Sequence, residues 1–60
     1  MRRPDYAAAY NNMCAAYNAM GRWDEGIAAC EQALRIDPSN QLLAKNNLAW
    51  AMRGKTKASQ

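Results

Sequence analysis

The sequence contains no histidine, no phenylalanine and no valine. Each absence removes a class of explanation. Without histidine the chain lacks the side chain that most often serves as general base or metal ligand near neutral pH. The two cysteines, Cys14 and Cys30, cannot make a zinc site alone and have no base beside them to generate a thiolate. No glycine-rich phosphate loop is present, and the adjacent acids Asp24 and Glu25 stand where a helix would begin, a usual place for acids. The reading is a protein that is not an enzyme and needs no cofactor or metal. With no valine, and with Ile27, Ile36 and Thr56 as the only β-branched residues, a sheet has little to build with. Two cysteines are too few for a disulfide scaffold. One bridge is permitted, but both cysteines sit in apolar surroundings and read as reduced core thiols. Apolar runs are only a few residues long, so neither a signal peptide nor a membrane span is expected, and the location implied is cytoplasmic.

The net charge is +3, much of it at the two ends, in Arg2 and Arg3 and in Arg53, Lys55 and Lys57. A nucleic-acid surface would need a basic stripe on a folded face with aromatics between the charges. The near-balanced middle of the chain disfavours that partner, and the ends read as solvated tails.

What is abundant is helix-forming: Ala, Leu, Met, Gln, Glu, Lys and Arg. Tyr6, Ala9, Tyr10, Met13, Cys14, Tyr17 and Met20 recur at steps of three and four, the mark of one helical face. Asp5 is placed to cap that helix, and Gly21 to end it in the left-handed conformation. A second stripe runs through Ile27, Cys30, Ala33 and Leu34 until Pro38, which pushes the residue before it out of helical geometry. Ser39 or Asn40 then caps a third helix, which carries Leu43 or Ala44, Asn47, Leu48, Ala51 and Met52 on one side and ends at Gly54. The spacing predicts helices near 5–20, 24–37 and 40–53, with the core formed by Tyr10, Met13, Tyr17, Ile27, Ala33, Leu34 and Leu48. Sixty residues make one small domain, which buries only about 60% of its unfolded surface and is marginal unless stapled or oligomeric.

One phrase is written twice. "YNNMCAAY" at Tyr10–Tyr17 is echoed 35 residues later by "KNNLAWAM" at Lys45–Met52, and Pro4 and Pro38 lie 34 residues apart. A period of this length built from a helix pair signals a stacked helical repeat.

At these residues the chain resembles the tetratricopeptide repeat (TPR) family, whose unit is a 34-residue helical hairpin. Tyr10, Met13, Cys14 and Tyr17 match the first half of the family pattern; Gly21, Trp23, Gly26, Cys30, Ala33, Leu34 and Pro38 follow at the family spacing. Gly26 replaces the usual Ala at the close helix crossing, and Cys30 replaces a large aromatic. The resemblance implies an all-α fold, a fragment of right-handed α-solenoid. Residues 1–4 would be an N-terminal tail, 5–40 a TPR hairpin, 41–54 a third, solvating helix shifted by one residue from exact repetition, and 55–60 a frayed tail.

The same resemblance suggests where a partner would bind. First helices of TPR repeats line a concave groove, and some members carry an Asn ladder there that holds an extended peptide. Asn12 and Asn47 match that placement, with Asn11, Asn18 and Asn46 nearby. A carboxamide both donates and accepts, so it can pair with both groups of a peptide backbone. Arg53 belongs to a basic set that could hold a carboxylate, although the first helix offers no cation to complete such a clamp. Trp50 lies off the core stripe of its helix, two turns from Leu43; it either folds back over a first-helix aromatic or forms an exposed strip with Leu42 and Leu43. The expected peptide-binding set is therefore Asn11, Asn12, Asn18, Asn46, Asn47, Trp50 and Arg53, and the expected oligomer interface Leu42, Leu43 and Trp50. Two functions follow: a module for a peptide or protein partner, or a repeat fragment whose main contact is with its own copies, favoured as a closed homodimer.

Overall fold

A computed structural model describes residues 4–38 and 41–59. They form three helices, α1 (Pro4–Ala19), α2 (Trp23–Ile36) and α3 (Gln41–Ser59). The caps proposed at Ser39 and Asn40, and the basic pair Arg2–Arg3, lie outside the described residues.

Local chemistry sets the breaks. Gly21 has φ +77°, a left-handed geometry that costs any other residue a Cβ clash. The Arg22 amide donates to the Tyr17 carbonyl at 2.8 Å and the Gly21 amide to Asn18 at 3.0 Å, the paired bonds that satisfy a helix's last carbonyls. Asp24 and Glu25 then fall in the first turn of α2 and Arg35 in its last, each facing the helix dipole favourably. At the far end the Asp37 amide still reaches the Ala33 carbonyl, and Pro38 follows.

Helix α2 lies against both of the others, which touch each other less. The buried apolar side chains are small: Ala7, Cys14, Ala29, Cys30, Ala33, Ala44 and Ala51. Cys14 and Cys30 are joined by a disulfide with Cα atoms 5.4 Å apart, both 0% exposed. The expectation of reduced thiols is thus corrected. The spacing of the two cysteines did not say which faces would meet, and the α1–α2 crossing brings them together. Tyr10, Tyr17 and Leu48 pack around this bridge. Of the large side chains expected in the core, Tyr10, Tyr17, Ile27, Leu34 and Leu48 are half-buried and Met13 is exposed. The buried line of α1 runs through Ala7, Asn11, Cys14 and Asn18, and Met13 falls outside it.

Two further corrections concern α3. Its inward residues Ala44, Leu48 and Ala51 stand 34 residues after Tyr10, Cys14 and Tyr17, which are buried or half-buried in α1. The echo of 35 is an echo of letters, not of places: Asn12 is exposed while Asn47 turns inward. Nor does α3 stop at Gly54. It continues to Ser59, where a frayed tail was expected. Gly54 does not adopt the left-handed geometry of a helix stop. Instead the Trp23 ring lies so close that an added Cβ would meet three of its atoms at 2.5 Å. Beyond it, Lys55 pairs with Asp24 at 2.6 Å, and the Thr56 and Ser59 hydroxyls donate to the carbonyls one turn back.

Candidate functional site: an asparagine seam and a pocket between two tryptophans

The seven residues expected to bind peptide divide into three groups. Asn11 and Asn18 are buried, at 3% and 2% exposure, and Asn47 is half-buried. The Asn18 amide donates to the Asn47 backbone carbonyl at 3.0 Å, and the Asn47 amide donates to Asn11 Oδ1 at 3.3 Å. These three carboxamides join α1 to α3. They are spent inside the fold, which corrects the expectation that Asn11, Asn18 and Asn47 would offer their amides to a ligand. Burial of an amide requires such partners. Asn18 Oδ1 has no hydrogen-bond partner and lies against Gly26, where a Cβ would overlap it. Asn12 and Asn46 are exposed.

Trp50 and Arg53, by contrast, come together. With Trp23, Gly54, Lys57 and Ala58 they line a pocket of about 510 Å³ between the start of α2 and the second half of α3. Trp23, at the head of α2, went unmarked as a site residue in the sequence. Its one signal there was an aromatic immediately after the inter-helix turn.

The proposed interface residues Leu42, Leu43 and Trp50 are 76%, 54% and 43% exposed. Other large apolar side chains at the surface are Tyr6, Met13, Met20 and Met52. Among the described residues, all seven lie on α1, the turn that ends it, or α3, and none on α2. A helix lacking a wet polar face is normally covered by something. From Tyr6 to Met20, α1 bears no charge at all.

The tetratricopeptide repeat family model matches residues 7–40, more than half of the chain, and the match spans the hairpin α1–α2. The chain belongs to the tetratricopeptide repeat family. In this TPR chain α3 occupies the place of the first helix of a following repeat, and its inward residues keep the 34-residue spacing. TPR units generally mediate protein–protein interaction, and the family is typically non-catalytic. No curated protein and no solved structure matches the chain. Among the described residues no helix is long and apolar enough to cross a membrane.

Proposed function

We propose that this TPR chain is a non-catalytic interaction module that holds an extended segment of a partner protein across the outer surfaces of α1 and α3. What supports this reading is the confinement of every exposed large hydrophobic side chain among the described residues to those two helices and the turn after α1. Asn12 and Asn46, the exposed asparagines of α1 and α3, would grip the partner's backbone, and Trp50 and Arg53 would hold its side chains. The test is selection from a random-peptide display library on the immobilised chain, followed by amide chemical-shift mapping of a selected peptide. Shifts should gather at Asn12, Asn46, Trp50 and Arg53 and leave Glu31 and Arg35 on α2 unmoved. Failure to select any peptide, or shifts confined to α2, would refute the reading.

A second reading, pairing with another copy, is favoured by one observation: Leu42, Leu43 and Trp50 are all exposed on one helix. Light scattering across concentration should then show a dimer that Trp50→Glu converts to monomer. A monomer at high concentration in the unsubstituted chain would remove this reading.

A further inference from the structure

We infer that the pocket between Trp23 and Trp50 takes an acidic peptide segment anchored by one large apolar side chain. This inference rests on the interaction-module reading above and adds the chemistry of the partner.

The pocket has apolar walls and a cationic rim. Trp50, Arg53 and Lys57 follow one another on α3 at steps of three and four, so they share a face. Trp23 comes from α2, and Gly54, lacking a side chain, lets its indole approach the backbone of α3 closely. The volume, about 510 Å³, falls within the roughly 300–1,000 Å³ of ligand pockets and leaves ample room for one large side chain. A Leu, Met or Phe seated in the pocket would remove exposed indole surface from water.

The rim determines the rest. Among the described residues no acidic side chain lines the pocket. The two nearest carboxylates on α2 are engaged elsewhere: Asp24 with Lys55 and Glu25 with Arg22, each at 2.6 Å. Among the described residues neither Arg53 nor Lys57 forms an ion pair. Like charges one turn apart on a helix repel, and an anion between them reverses the sign of that interaction. Arg53 can hold a carboxylate with two parallel bonds, and Lys57 adds a point charge. Carboxylates flanking the anchor in the partner's sequence therefore complete the site.

The chain has only two tryptophans, and both line this pocket, so its indole fluorescence reports on the pocket walls. The probes are capped octapeptides with a central Leu or Phe flanked on both sides by Glu, and a matched set flanked by Gln. The Glu set should quench the fluorescence and bind at least about tenfold more tightly than the Gln set, with the preference shrinking as salt is added. The double variant Arg53→Gln, Lys57→Gln should erase that preference, and Trp50→Ala should lose both peptide sets while the helical circular dichroism stays unchanged. Should Trp50→Ala unfold the chain, the exposed charge variants still decide the matter. Equal binding of the two sets, or unaltered binding by the charge variants, would overturn the inference. So would a single-stranded oligonucleotide that binds where the peptides do not. If display-selected neutral peptides bind at Asn12 and Asn46 while the Glu set does not, the acidic chemistry fails and the module reading stands. If no peptide of any kind binds, both fall.

Discussion

Trp23 and Gly54 are in contact across the α2–α3 interface, and the glycine has no room for a methyl group there. On an open helix surface Gly→Ala would stabilise by up to about 1 kcal/mol. Here the sign reverses. An added Cβ must displace a bulky indole, and overpacking of that kind costs about 1–3 kcal/mol. Gly54→Ala should lower the urea midpoint relative to the unsubstituted chain, and a rise would show that Trp23 moves aside freely.

Reduction of the Cys14–Cys30 bridge should destabilise the chain by about 3 kcal/mol, the effect of opening a loop of roughly this length. A domain of this size has little more than that in total. Far-UV circular dichroism in oxidised and reduced samples would show the difference as a large drop in thermal midpoint. Identical melting curves would mean that packing alone holds α1 to α2.

Gly26 and Asn18 should be energetically coupled. Gly26→Ala pushes a methyl group onto Asn18 Oδ1, and the Asn18 amide cannot swing away without breaking its bond to the Asn47 carbonyl. The single substitution should cost about 1–3 kcal/mol. In an Asn18→Ala background the clash disappears, so a double-mutant cycle should return a coupling of at least about 0.5 kcal/mol. Additivity would mean that the two sites do not press on each other.

Met13 and Leu48 should respond differently to substitution. Leu48 packs on the disulfide cluster, whereas Met13 is 42% exposed. Leu48→Ala should cost about 2 kcal/mol, near the lower end for a buried leucine because Leu48 is only half-buried. Met13→Gln should fall within about 0.5 kcal/mol of neutral. Chemical denaturation of both variants is the check, and equal costs would mean that the 35-residue echo, which pairs the two positions, holds in the packing as well as in the letters.

The features legible in the sequence were those a residue decides alone. Gly21 needs only its own φ, and Pro38 needs only its missing amide and its ring, so both helix breaks could be read without knowledge of any neighbour. What was illegible depended on which faces meet. Cys14 and Cys30 look the same as thiols or as a bridge until the crossing of α1 and α2 is fixed. Asn11 and Asn18 carry the same carboxamide as Asn12, yet two lie in the seam and one in water, because a step of one residue turns a helix position by about 100°. A glycine that ends a helix and a glycine that admits an indole are one letter, so Gly54 was read as a stop. The large side chains misled for a related reason. In a three-helix unit the tight contacts go to alanines, and tyrosines and leucines close the edges.

The disulfide joins only α1 to α2, while α3 is held by the asparagine seam, by Trp23 over Gly54 and by the Lys55–Asp24 pair. The molecule therefore has a hinge order. Amide exchange should be slowest in the cross-linked hairpin, with α3 the part that opens first when the native state fluctuates. An α3 that has lifted away leaves behind a surface already shaped to receive an α3. In a concentrated solution that helix can come from another molecule, and two chains can trade third helices without forming any contact that the single chain does not already contain.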